Sequence, residues 1–276
     1  MREGGVQMEK VSIILPTYNR KKKLKRAVDS ILYQSYAEFE LIIADDASTD
    51  GTEEFLKSYQ DARIRYIRLP LNQGAAAARN YGLQQAQSDY IAFEDSDDVW
   101  HPEKLEKQMQ LLTHADEQVG FVYHKIAYDM GDNRYAILPS EEIGLEKKSG
   151  DIYVQMLYDN LIPCPSILAT RDCVAATGGF DTQLKALEDY DFALKMARQY
   201  QGIFIDEVLL DAEYSTGGVS GNAVNYLLAS CMLVQRYKED YLRTGMFDHR
   251  IEIILRDSQA IGMQEQFVAL LEKLLQ

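Results

Sequence analysis

Apolar residues recur along this chain in two alternating periods. Residues 11–15 form a short β-rich run that Pro16 should end, and Leu24, Val28, Ile31 and Leu32 then fall at helical spacing. The alternation repeats as strand at 39–44, helix at 53–59, strand at 64–69, helix at 75–86 and strand at 90–93. Such strand and helix units predict a mostly parallel sheet, because parallel neighbours need a crossover between them. Ligands of open sheets bind beyond the carboxyl ends of the strands, which singles out residues 16–20, 45–51 and 94–100. Farther on, 121–128 and 135–138 flank Met130-Gly131-Asp132-Asn133, a hairpin signal that makes the sheet mixed. A strand at 166–170, an amphipathic helix at 189–200 and a strand at 203–210 follow. From Asn222 the pattern is helical to the end, with Tyr226, Leu227, Met232 and Leu233, and later 267–275, as apolar stripes for packing on the domain. The expected architecture is α/β: a Rossmann-like mixed sheet flanked by helices over residues 8–220, with a helical C-terminal extension at 221–276.

Composition narrows the partners. With 276 residues, 46% of them hydrophobic, the chain can bury a full α/β core. Its 43 acidic residues outnumber 29 basic ones, for a formal charge of −14, which argues against nucleic acid as a partner. Cys164, Cys173 and Cys231 have neither disulfide-framework nor zinc spacing, so a reducing compartment fits. The N-terminus has no apolar signal region and no apolar run approaches the roughly 20 residues of a membrane span. A cytoplasmic protein is expected, with residues 1–7 outside the folded unit. The run 20–26, Arg-Lys-Lys-Lys-Leu-Lys-Arg, reads first as a solvated helix face, since Leu24 and Val28 already supply a buried stripe. It could also attract anionic phosphates or the anionic inner face of a membrane.

The acids are clustered. Asp45-Asp46 follows the second strand and Glu94-Asp95-Ser96-Asp97-Asp98 the fourth, at one sheet edge. Two carboxylates about 5 Å apart repel by about 3 kcal/mol at an effective dielectric of about 20, a cost that a counter-cation relieves. Mg²⁺ or Mn²⁺ takes oxygen ligands, commonly one or two carboxylates plus substrate phosphates. The plainer alternative is a solvated acidic loop with Asp98 capping a helix that starts near Pro102.

Six motifs in order resemble the family 2 inverting glycosyltransferases, which have the GT-A fold. Val11 to Arg20, reading VSIILPTYNR, is similar to the family's opening strand and donor-binding loop, and Ile42 to Thr52, reading IIADDASTDGT, to its second. Asn72-Gln73-Gly74 with Ala78-Arg79-Asn80 resembles the third signature, and Phe93 to Trp100, reading FEDSDDVW, the metal-binding one. Gly178-Gly179-Phe180-Asp181 and Glu188-Asp189-Tyr190-Asp191 look like the acceptor-side turn and the base motif. The resemblance spans about residues 11–220.

It implies a nucleotide-sugar donor held by Pro16, Thr17, Tyr18, Asp46, Gly74, Arg79 and Asp95. Pro16 and Tyr18 would shape and stack on the base, Asp46 would accept a ring N–H, a contact that favours uracil, and Asp95 would face the ribose and sugar. Asp97 would bind a Mn²⁺ or Mg²⁺ bridging the diphosphate, and Arg79 suits either the phosphates or the Asp cluster. Asp189 would be the catalytic base acting on a saccharide or lipid-linked acceptor in bacterial surface polysaccharide synthesis. Positions 189, 192, 193 and 196 share one helix face with Phe192, Ala193 and Met196, so Asp189 should point inward and Asp191, off that face, into solvent or a neighbouring loop. The residue-level alternatives are a core-packed loop aromatic for Tyr18 and a helix N-terminal acid for Asp189.

There are two departures from the family pattern. Glu94 stands where an apolar residue is usual, and residues 212–222 lack the histidine that would assist the metal, leaving Tyr214, Ser215 and Ser220 as polar candidates on a Gly217-Gly218 loop. His101, His114, His124 and His249 read as surface or structural. Acceptor contacts are expected from residues 140–148 and 161–166, and the tail could also serve a homodimer. Two rivals remain: a sugar nucleotidyltransferase, whose glycine-rich loop after the first strand is missing, and a catalytically silent nucleotide-sugar-binding relative that acts as an assembly partner.

Overall fold

The computed structural model describes residues 8–132, 134–213 and 222–275. The sheet order is β3-β2-β1-β4-β8-β6-β9-β5, with β7 paired to β6. The first half is parallel: β1 (Val11–Thr17) lies between β2 (Phe39–Asp45) and β4 (Tyr90–Phe93), and β3 (Ile64–Arg68) flanks β2. The second half is mixed. β8 (Leu168–Thr170) runs antiparallel to β4 and to β6 (Val119–Asp129), while β9 (Gln201–Glu213) runs parallel to β6. The expected hairpin is β6 with β7 (Tyr135–Leu138). A strand that the pattern does not reveal, β5 (Val99–Trp100), pairs with β9, being too short to show a period of two.

β1 and β2 are buried on both faces, as parallel strands covered by crossover helices must be. Ile13, Leu15, Leu41 and Ile43 join α1 (Lys21–Leu32) and α4 (Lys104–Leu112) through Leu24, Val28, Leu105 and Met109. Ile14, Ile42 and Phe93 belong to the opposite cluster with α5 (Tyr153–Tyr158) and α7 (Glu188–Ala197). On that face α3 (Ala75–Gln85) crosses β1 so closely that a Cβ at Gly82 would lie 2.6 Å from Ile14 Cγ2. The same apolar cluster continues without a break into α8 (Ala223–Arg236), α9 (Lys238–Thr244), α10 (Phe247–Ala260) and α11 (Gln264–Leu275), through Leu227, Cys231, Val234, Tyr241, Ile254 and Phe267.

Pro16 does not end β1, which continues to Thr17. Alternation explains this: Ile14 accepts from the Glu94 N–H on the β4 side and Thr17 from the Asp46 N–H on the β2 side, so position 16 faces β4. β4 pairs only as far as Ile14, and the donor that proline lacks has no partner to lose.

Candidate functional site

Three loops meet at the carboxyl ends of β1, β2 and β4. Asn19, with φ 51°, donates its N–H to Ser48 Oγ at 2.9 Å and accepts from the Thr49 N–H at 2.7 Å, tying the first loop to the second. Ala47 follows Asp46 at φ 66° and Leu187 precedes Glu188 at φ 58°. Left-handed conformations of this kind cost roughly 1–2 kcal/mol per non-glycine residue and cluster at functional sites. Tyr18 is 45% exposed at the loop tip and is not packed on the core, whereas Pro16 and Thr17 are buried and Thr17 Oγ1 has no hydrogen-bond partner.

Asp46 is only 3% exposed, and its two oxygens accept the backbone N–H groups of Gln73 at 2.8 Å and Gly74 at 2.7 Å. Burial pushes its carboxyl up while those two bonds pull it down. Each oxygen keeps a lone pair, so the group can still accept a further donor, but its visible task is to hold the loop before α3 against β2. Gly74 itself sits at φ 95°, which favours glycine.

In the acidic loop two of the carboxylates, Asp97 and Asp95, are answered by cations. Asp97 accepts from Arg20 Nη1 at 3.0 Å and lies 3.8 Å from Lys23 Nζ, while Asp95 accepts from Arg79 Nη2 at 2.6 Å. The basic run is therefore not one solvated face: Lys21, Lys22, Lys25 and Arg26 are exposed, and Arg20 and Lys23 turn toward the acids. Asp98 caps no helix; it is buried, its N–H bonds to Asp95 O, and α4 starts later behind Glu103. Burial, then the charges of Asp95 and Asp97, pushes its carboxyl well up.

Glu94 adds no ordinary charge at the strand end. It is fully buried, and burial followed by the charge of Asp98 holds its carboxyl well above the usual range. The equally buried Lys104 ammonium, 2.8 Å from Gln108 Oε1 and over the Trp100 ring, is pushed down to about 7 by burial against the opposing pull of Glu94. Both groups approach their neutral forms, the usual resolution of a costly buried charge.

The first turn of α7 carries the remaining acids, Glu188, Asp189 and Asp191. Glu188 accepts from Arg79 Nη1 at 3.0 Å, so the guanidinium whose other arm holds Asp95 braces two acids of the site. Of the two roles open to Arg79, this is the one its contacts occupy. The next residue of α3, Asn80, accepts from the Phe180 N–H and donates to Phe180 O, at 2.9 and 2.8 Å. A Cβ on Gly179 would lie 2.7 Å from that amide, and φ 86° there requires glycine in any case. Below, Phe180 stacks on Phe192 at 4.2 Å and both meet the edge of Phe93, which joins the acid-loop strand to α7.

Asp189 is partly buried, and its one hydrogen bond is from its own helix, the Tyr190 N–H at 2.8 Å. Among the described residues no cation lies within ion-pair distance of it. Burial, then the charge of Glu188, pushes it up to about 6. The expectation for Asp191 fails. It is 0% exposed and paired with Arg236 and Lys195, each at 2.7 Å, and with the Tyr237 hydroxyl at 2.8 Å. On a helix with a solvent side Asp191 would face water, but Arg236 and Tyr237 at the end of α8 cover that side of α7.

Arg20, Lys23, Glu188 and Asn80 are four site residues that carry no role of their own in the sequence pattern beyond the pull of the basic run on phosphates, although all lie in or beside the quoted motifs. Tyr128 on β6 is a fifth: burial, then Asp98, Asp189 and Asp95, pushes its phenol up, which places it among these acids. Of the histidines, His101 pairs with Asp211, His114 with Gln110 O, His249 stacks on Tyr158, and His124 is buried with its ring pushed toward neutrality by burial. Tyr214, Ser215 and Ser220 lie outside the described residues. The three cysteines are free and buried.

Among the described residues no three potential ligands converge as a preformed metal cage. Both ion pairs of Asp97, to Arg20 and to Lys23, are made by Oδ2, so Oδ1 is the oxygen that a hard cation shared with substrate oxygens would take. No helix among the described residues is long and apolar enough to cross a membrane.

The fold is shared with solved structures of other proteins. Staphylococcus aureus TarS 1-349 in complex with UDP superposes with a TM-score of 0.64 at 22% identity, over 82% of this chain and 65% of that one. The mannosyltransferase PcManGT from Pyrobaculum calidifontis, in complex with GDP-Man and Mn²⁺, does so with 0.65 at 20% identity, over 97% and 80%. In sequence, an uncharacterized glycosyltransferase of Haemophilus influenzae is 30% identical over 253 residues, 89% of this chain and 83% of the relative. The putative colanic acid biosynthesis glycosyl transferase WcaA of Escherichia coli is 33% identical over 201 residues, 69% of this chain and 67% of WcaA. The model of Glycosyl transferase family 2 matches residues 12–171, from β1 through β8, and the chain belongs to that family.

Proposed function

We propose that the protein transfers a sugar from a nucleoside diphosphate donor, a uridine diphosphate sugar, to an acceptor hydroxyl with inversion, and that Asp189 is the general base. The observation that carries this reading is the isolation of Asp189: among the described residues Asp95, Asp97, Glu188 and Asp191 are each paired with a cation, Asp98 has none but is buried, and Asp189 is both unpaired and partly exposed. A carboxylate pushed up to about 6 is ionised at neutral pH yet basic enough to take a hydroxyl proton as the new bond forms. Displacement at the anomeric carbon then needs no protein nucleophile.

On the donor side, Tyr18 offers an exposed ring for the base, Thr17 a buried hydroxyl without a partner, and Asp46 a fixed edge. The TarS complex supports uridine diphosphate as the carrier and the Mn²⁺ of PcManGT supports a divalent cation. Asp97 would hold Mn²⁺ or Mg²⁺, which when bound neutralises the departing diphosphate. Arg20 and Lys23 contribute positive charge on the same side. The likeness to WcaA supports a role in bacterial surface polysaccharide synthesis.

The experiment is a binding screen of nucleoside diphosphates and their sugars with and without Mn²⁺, followed by turnover of whichever donor binds. Metal-dependent binding of uridine diphosphate with no release of sugar to any hydroxyl or to water would instead favour the silent, partner-binding relative.

A further inference from the structure

Each residue of the Glu188-Asp189-Tyr190-Asp191 turn except Asp189 is anchored to a different element. Glu188 is held by Arg79 of α3, and Tyr190 donates to Met156 O of α5 with the Arg250 guanidinium of α10 over its ring. Asp191, fully buried, is answered by the end of α8: Arg236 Nη1 at 2.7 Å and the Tyr237 hydroxyl at 2.8 Å meet the same oxygen, and Lys195 faces the other. The second arm of Arg236 pairs with Asp181, in the turn that Asn80 fixes to α3. One guanidinium therefore joins both ends of the segment 181–191 to a helix that lies, like α7, beyond the matched segment 12–171.

We infer that Arg236, assisted by Tyr237, is a positioning residue through which the C-terminal helices set the place of Asp189, so that these helices are a working part of the transferase. Without Arg236 the fully buried Asp191 keeps only Lys195, on its other oxygen, and the oxygen stripped of its cation favours a shift of the turn toward solvent. Asp189 lies two residues away and has no cation of its own to hold it. The inference rests on Asp189 being the base.

The test is the titration of Asp189 in the full chain, followed by aspartate-selective ¹³C-carboxyl NMR, its line identified by its absence in Asp189→Asn. The charged groups facing Asp189, namely Glu188, Arg79 and Asp95, stay the same in the parent and in Arg236→Met. If the turn kept its place, losing a cation and leaving Asp191 with Lys195 alone would raise the Asp189 midpoint. If Arg236 holds the turn, its loss releases Asp189 toward solvent and the midpoint falls by about one unit or more toward the ordinary carboxylate range. Tyr237→Phe, which removes only a hydroxyl, should give a smaller fall, and Arg236→Lys should restore most of the parental value. Uridine diphosphate affinity, set by the loops after β1 and β2, should change less than twofold throughout. A midpoint that rises or stays in both Arg236→Met and Tyr237→Phe overturns the inference. The base reading fails separately, through sugar transfer by Asp189→Asn at the parental rate, and takes the catalytic content of the inference with it.

Discussion

Arg79 and Glu188, 109 positions apart in sequence, meet at 3.0 Å in the interior of the site, and the same guanidinium holds Asp95 at 2.6 Å. The contact joins the acid loop after β4 to the helix that carries the proposed base. Since the guanidinium is nearly buried, removing it leaves two carboxylates without their cation.

Arg79→Met should therefore lower stability by about 3–5 kcal/mol, the range for breaking a buried pair from one side. Arg79→Lys, with a point charge in place of a fork, should recover only part of that. Urea unfolding of the three proteins measures it, and a loss below about 1 kcal/mol for Arg79→Met would remove the bracing role.

Asp189→Asn should lose about 10²- to 10⁴-fold in sugar transfer while keeping uridine diphosphate affinity. Its stability carries a second signature. The carboxyl pKa is raised in the folded protein, so its contribution to stability is fully present below the unfolded value of 3.8 and is lost as pH rises through about 6. Asn cannot ionise, so Asp189→Asn should gain on the parent in urea unfolding between pH 4 and pH 7. Transfer by the parent should rise with pH through about 6 and then level. A variant that falls behind the parent over that interval, or a rate that declines across pH 6, contradicts the assignment.

Asp191→Asn should behave in the opposite way, weakening the fold because Arg236 and Lys195 lose a buried partner. Lower transfer in this variant should come with a lower melting temperature. Full stability with abolished transfer would point to Asp191 as the base.

Uridine diphosphate at about 100 times its dissociation constant should stabilise the fold by about 2.7 kcal/mol. It should do so only with Mn²⁺ or Mg²⁺ present and not in Asp97→Ala. Equal thermal shifts after chelation would dismiss the metal role of Asp97.

Asp46→Ala should weaken uridine diphosphate binding by about 1.5–3 kcal/mol, the worth of hydrogen bonds to a charged group. The cost arises partly through the freed N–H groups of Gln73 and Gly74, so amide exchange at 73–74 should speed up together with the loss of affinity. Affinity and exchange both matching the parent would exclude Asp46 from the site.

The linear sequence by itself determined the elements of the first half, because strands such as 39–45 and 90–93 stand out as short contiguous runs rich in apolar residues and the helix at 21–32 carries its apolar stripe at local helical spacing. It also determined which loops bear the acids, since parallel connectivity sends every strand end to one edge. Tertiary structure alone decided which acids are paired. Arg20 reaches Asp97 across 77 positions, Arg79 reaches Glu188 across 109 and Arg236 reaches Asp191 across 45, distances over which no local period carries information. It decided too that α7 is covered on the side where Asp191 points, and that Glu94 and Lys104 share a dry interior where each moves toward its neutral form. Burial and charge compensation are properties of the neighbours that packing brings together, and those neighbours are set by the whole chain closing on itself.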